Sequence, residues 1–237
     1  MKPKPATTRR PNAGINLNFQ GGNAIRYDAI FFDFDGVLAE SADIKTDAFR
    51  ELYAEFGDDV VQRCVSHHIR HAGISRVRKI ELYHKEFVGQ TLSPADLNAW
   101  IGRYAAIVES KVVSAPAVPG AVEFLQAAQG RLKLFVISGT PEDELRRIVA
   151  KRGWDGYFDE VHGSPRLKPE IIDDIVSRAG LEIDRVLFVG DAMTDFDAAQ
   201  DRGVAFLGRV ALHHDDLFPP GTETVADLTG LLARVSG

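Results

Sequence analysis

Short apolar runs at residues 27–32, 132–137, 186–189 and 204–207 constrain this chain more than any other feature. Each has the length of a strand and is apolar at consecutive positions, as in a strand buried on both faces. Charged segments with a helical period lie between the later runs, at about 142–152, 169–179 and 195–202. Doubly buried strands alternating with helices need parallel pairing through βαβ crossovers. The expected class is therefore α/β: a Rossmann-like, doubly wound parallel sheet with helices on both faces. In such a sheet the ligand site lies beyond the carboxyl ends of the strands.

A long stretch after the first run breaks the alternation. Apolar residues recur at Ile44, Ala48, Leu52 and Phe56, at Ile80, Tyr83 and Phe87, and at Leu97, Ile101, Tyr104 and Ile107, each near a 3.6-residue period. Pro116 and Pro119 then disfavour continued helix. The expectation is a helical cap over 42–113, inserted into a core made of 25–41 and 114–237. Residues 1–24, rich in proline, glycine and cations and without period, read as a mobile tail.

At 237 residues the chain suits one large domain or a core with a modest insertion. Its net charge of −6 has the wrong sign for a general nucleic-acid binder. Small-molecule chemistry is expected instead, without a membrane partner and with the oligomeric state left open. The lone Cys64 can form neither an internal disulfide nor a thiolate metal site, which fits a reducing, cytoplasmic setting.

Polar residues gather where the sheet rule puts a site. Asp33-Phe34-Asp35-Gly36 follows the first run, and two carboxylates one residue apart at a buried strand end need a cation, a shared proton or a hydrogen-bonded loop. Alone, the pair reads first as an acidic turn. Ser138-Gly139-Thr140 follows the second run and suits phosphate oxygens, although alone it reads as a turn or helix cap. Lys168-Pro169 opens a later helix. Gly190-Asp191 through Asp195 follows the third run, with carboxylates that could cap a helix or hold a hard cation. Four such features, in order and all at strand ends, are jointly specific.

With these motifs the chain resembles the haloacid dehalogenase superfamily over about residues 26–210, in the helical-cap subgroup of phosphoglycolate phosphatase and β-phosphoglucomutase. The resemblance implies that Asp33 is a nucleophile forming an aspartyl-phosphate. It implies a Mg²⁺ cofactor held by Asp33, the Asp35 carbonyl and Asp191, with Asp195 direct or through water. Asp35 is then the acid and base. Ser138, Gly139 and the amides near Gly36 bind phosphoryl oxygens, and Lys168 neutralises nucleophile and phosphate. Asp35 favours phosphoryl transfer over dehalogenation. The expected function is a phosphatase for a small phosphorylated metabolite, either a sugar phosphate or a short organic-acid phosphate. Its rivals are a phosphomutase and, from another class, a non-catalytic binding module.

Substrate choice is expected in the cap. Lys45 stands where many relatives carry His, and Glu40 where they usually carry Asp. Gly73-Ile74-Ser75-Arg76 is similar to a substrate-facing cap loop, although Gly73 also reads as a helix C-cap with Arg76 exposed. Lys45 and Arg76 are the candidate substrate cations. His67 and His71 form an i, i+4 pair beside His68, with no evident third ligand, so a packed or solvated face is expected. Cys64, Trp100 and Tyr104 are expected to pack.

Overall fold

The computed structural model describes residues 26–236, and the expected tail lies outside them. The sheet contains β1 (Ala29–Phe32), β2 (Lys133–Pro141), β3 (Glu160–Ser164), β4 (Val186–Gly190), β5 (Ala205–Arg209) and β6 (Thr224–Val225). All pairs are parallel, in the order β3-β2-β1-β4-β5-β6. The order runs away from β1 in both directions, which opens a crevice beyond the ends of β1, β2 and β4. This is the α/β fold expected from the apolar runs.

The central strands bury both faces, and their residues alternate between two cores. Ile30, Phe32, Leu134, Val136, Leu187 and Val189 point to one side, and Ala29, Phe31, Phe135, Ile137, Val186 and Phe188 to the other. Phe31 is paired with Phe135 and Phe188 across the sheet, edge to face at 5.4 and 6.4 Å. β3 and β6 were not expected, because β3 has a single large apolar residue, Val161, and β6 spans two residues at the edge. Edge strands need less apolar surface, so periodicity does not mark them.

Between β1 and β2 the chain forms α1 (Ala42–Tyr53), α2 (Asp58–Arg70), α3 (Arg76–Tyr83), a π-helical turn (His84–Val88), α4 (Pro94–Ser114) and α5 (Ala121–Ala128). Phe49, Tyr53, Tyr83 and Tyr104 are buried where α1, α3 and α4 meet. The connections into and out of this block run side by side, with Glu40 N–H donating to Pro116 O at 2.9 Å and Val118 N–H to Leu38 O at 3.0 Å. Arg152 holds the exit by donating from one nitrogen to the carbonyls of Val112, Val113 and Ala115 at 2.8–2.9 Å, which satisfies the open end of α4. The remaining helices are α6 (Glu142–Lys151), α7 (Lys168–Ala179), α8 (Met193–Arg202) and α9 (Leu231–Val235).

Because Phe31 packs against two rings without solvent contact, Phe31→Ala should destabilise the fold by about 3–5 kcal/mol. Chemical denaturation would show this as a lower midpoint with an unchanged slope; a loss below about 1 kcal/mol would mean that the core collapses around the gap.

Candidate active site

One residue past β1, Asp33 is buried, and its N–H donates to Val189 O at 3.0 Å, so β4 positions its backbone. Lys168, the first residue of α7, reaches the same point with Nζ 2.7 Å from Asp33 Oδ1 and also ion-pairs with Asp195. The second oxygen of Asp195 accepts the Ala192 N–H at 3.1 Å at the start of α8. Asp191 is half-buried and takes no hydrogen bond among the described residues. Carboxylate oxygens of Asp33, Asp191 and Asp195 all lie within 4.8 Å of one another.

Three carboxylates thus face one ammonium. Burial pushes Asp33 above the usual carboxylate range; Lys168 opposes the rise, while Asp195 and Asp35 add to it. Burial and the charge of Asp33 push Asp191 up as well. Burial alone would depress Lys168, but Asp195 and Asp33 carry it above an ordinary lysine. A cluster of hard oxygens with surplus negative charge fits a divalent cation.

Asp35 has a different environment. Ser41 donates to Oδ1 at 2.6 Å, Thr140 donates to Oδ2 at 3.1 Å, and Lys45 ion-pairs with Oδ2. Lys45 also donates to Thr140 Oγ1 at 2.6 Å. Burial pushes the carboxyl up, but Lys45 and the hydroxyls outweigh it, so Asp35 is held below the usual range.

The intervening loop is tightly constrained. Gly36 has a φ of +78°, and a Cβ there would lie 2.0 Å from Asp191 Oδ2. Its N–H donates to Ala39 O at 2.8 Å, so the turn itself takes up this one donor. Arg209, from β5, donates to Gly36 O at 3.1 Å and grips Glu40 with two nitrogens at 2.7 and 3.1 Å. Glu40 therefore has a partner that no local motif could reveal.

Above the strand ends is a cavity of about 70 Å³, lined by Asp33, Asp35 and Ser138 below and by residues of the helical block above. Ser138 is buried beside Thr140, whose N–H donates to its Oγ at 3.2 Å. Both candidate substrate cations line this cavity but already have partners. Lys45 is bound to Asp35, and Arg76, which is buried and not exposed, ion-pairs with Glu144 of α6 beside the Tyr104 ring. Sequence reasoning missed Lys79, one helical turn beyond Arg76. It is 1% exposed and its Nζ is 2.8 Å from His68 Nδ1. Burial, together with Lys45, pushes Lys79 down to about 7, while burial and Lys79 keep His68 neutral.

The helical block meets the strand ends through backbone. A Cβ on Gly139 would lie 2.1 Å from Gly73 O, and one on Gly73 would lie 2.1 Å from Thr194 Oγ1. Thr194 itself donates to Ala72 O at 3.0 Å. His67 turns away, with Nδ1 3.1 Å from the Tyr83 hydroxyl and its ring against His71. Cys64 is buried, which pushes its thiol up to about 12. Trp100 stacks on Tyr53, and Tyr104 packs on Phe49.

A model of the haloacid dehalogenase-like hydrolases matches residues 27–203, and the chain belongs to that family. Phosphoglycolate phosphatase of Rhodospirillum rubrum is 29% identical over 190 residues, 74% of this chain and 76% of that one. A 5'-nucleotidase of Pseudomonas aeruginosa is 26% identical, covering 78% and 83%. Among solved structures, CbbY from Rhodobacter sphaeroides in complex with phosphate has the same fold, with a TM-score of 0.68 at 19% identity over 86% and 96% of the two chains. The chain is thus a family hydrolase whose curated relatives include phosphatases.

The contact between Gly139 and Gly73 leaves no room for a methyl group. Gly139→Ala should push the 71–75 loop outward and lower kcat/KM for any phosphate ester at least about tenfold, through lost alignment. Thermal melting should change by only a few degrees. Wild-type kinetics in the folded variant would show that the contact does not align the site.

Proposed function

We propose that the protein is a Mg²⁺-dependent phosphatase for a small phosphate monoester, working through an aspartyl-phosphate on Asp33. The observation that carries this reading is the buried Asp33 carboxylate, grouped with Asp191, Asp195 and Lys168 and facing the same small cavity as Asp35. Asp33, Asp191, Asp195 and the Asp35 carbonyl would hold the ion, which when bound offsets the repulsion between a carboxylate and a phosphate dianion.

Asp33 attacks phosphorus as the bond to the leaving oxygen breaks. Ser138 and the Gly139 amide hold phosphoryl oxygens, and Lys168 balances the charge shared by Asp33 and the phosphoryl group. Asp35 rests ionised in the grip of Lys45, Ser41 and Thr140, ready to take a proton from the water that later attacks the aspartyl-phosphate. A phosphoryl dianion beside it raises its affinity for a proton, so that Asp35 takes one from solvent as the substrate enters, gives it to the leaving oxygen and is ionised again when the water attacks. In this reading Lys45 positions and charges Asp35 instead of reading the leaving group. Helices over 42–113 serve as a cap on a core of 25–41 and 114–237, shutting out water. The buried lone Cys64 suits a reducing, cytoplasmic setting.

Asp33→Asn should fold by circular dichroism yet lose at least about a thousandfold in kcat; near wild-type turnover would rule out the aspartyl-phosphate route. Activity should disappear with EDTA and return with Mg²⁺ but not Ca²⁺, whose looser and larger ligand shell misaligns the nucleophile. Full turnover in metal-free buffer would contradict the metal assignment. Lys45→Met should cost about 100-fold in kcat on p-nitrophenyl phosphate and on an alkyl phosphate alike, since both share the step served by Asp35. A loss confined to the alkyl ester would return Lys45 to contact with the leaving group.

A further inference from the structure

Away from the strand ends, a second group of side chains has the donors of a metal site. Asp43, the second residue of α1, faces His213 and His214 on the loop between β5 and β6. His213 Nε2 is 3.3 Å from Asp43 Oδ2, and His214 Nε2 is 3.1 Å from Oδ1. One ligand atom from each of the three residues lies within 4.8 Å of the other two. The His214 N–H donates to Ala211 O at 2.9 Å, in a turn that brings both imidazoles to the same carboxylate with their ring centroids 4.5 Å apart.

Hydrogen bonding alone accounts poorly for this arrangement. The three side chains are 39–67% exposed, where water serves an imidazole as well as a carboxylate does. Asp43 needs no partner either, since a carboxylate in the first turn of a helix is already favoured by the helix dipole. Ligand atoms in a tetrahedron around Zn²⁺, with bonds of about 2.0–2.1 Å, stand about 3.4 Å apart, close to both observed separations. The surroundings also suit a cation. The group borders a second cavity, of about 310 Å³, whose lining adds the carboxylates of Asp191 and Asp215, while its arginine, Arg209, is already held by Glu40. Two imidazoles and a carboxylate match a borderline ion such as Zn²⁺, whereas the all-oxygen cluster at Asp33 matches a hard one. We propose that Asp43, His213 and His214 form a second metal site, for Zn²⁺ or a transition ion of similar preference. A bound ion ties the first turn of the helical block to the loop after β5, with its remaining position left to water. The site does not depend on the phosphatase reading.

Zn²⁺ is titrated into the full chain in excess Mg²⁺, which competes for the Asp33 cluster. Calorimetry should show one equivalent bound with a Kd below about 100 µM. His213→Ala, His214→Ala and Asp43→Asn should each weaken binding at least about tenfold, whereas Asp33→Asn and His71→Ala should leave it unchanged. The three ligands are exposed, so their variants should keep the wild-type circular dichroism. In wild type, the imidazole nitrogen signals of two of the seven histidines should move with Zn²⁺, a readout that holds even if a variant fails to fold. The inference is overturned if wild type binds no Zn²⁺ up to about 100 µM, if no histidine signal moves, or if folded His213→Ala and His214→Ala both bind as wild type does. Loss of binding in Asp33→Asn would overturn it as well, by placing the ion at the strand ends.

Discussion

Burying like charges beside the middle of a sheet is the constraint on which the rest of this structure depends. Asp33, Asp191 and Asp195 converge at the crevice where the strand order reverses, and Lys168 is bound to two of them. They arrive on three connections: Asp33 after β1, Asp191 and Asp195 between the end of β4 and the first turn of α8, and Lys168 at the start of α7. The cluster cannot form unless the whole parallel sheet is in register. Its charge is also unbalanced from within the chain, which suits the proposed role of holding a cation and a phosphate better than that of a structural salt bridge.

The two carboxylates of the first motif are separated by one residue and by opposite electrostatics. Asp33 is raised by burial and by its acidic neighbours, while Asp35 is lowered by Lys45 and two hydroxyls. Divergent proton affinities in neighbouring groups allow one to act as nucleophile and the other as proton carrier. The loop that holds them apart depends on Gly36, where a side chain would collide with Asp191, and on Arg209, which joins Gly36 O to Glu40 from the far side of β4. The positioning is thus supplied by residues remote in sequence.

The helical block approaches the strand ends through groups that tolerate little displacement: glycine against glycine backbone, Thr194 to Ala72 O, and the buried pair Arg76–Glu144. Those contacts set the size of the cavity, and the side chains beside them set its charge. In the proposed function substrate choice belongs to that wall, because there the strand ends alone handle the phosphoryl group.

Particular residues mark how much was legible in the sequence. Apolar runs at residues 27–32, 132–137 and 186–189 identified doubly buried strands, because an unbroken apolar run of strand length has few other stable uses. β3 and β6 escaped since an edge needs little apolar surface. Asp33, Asp35, Ser138, Lys168, Asp191 and Asp195 were legible because strand ends fall at predictable places in a βαβ pattern. The partners of Lys45, Arg76 and Lys79 were not legible: Arg76 meets a residue 68 positions away, and Lys79 meets His68 and, among the described residues, no carboxylate. By itself the sequence determined the central strands, the helical insertion and the polar residues gathered at the strand ends, all of which follow from local period and motif spacing. Only the tertiary structure decided which charges are neutralised and which remain open to a ligand, since pairing across the cavity depends on distances that no spacing along the chain encodes.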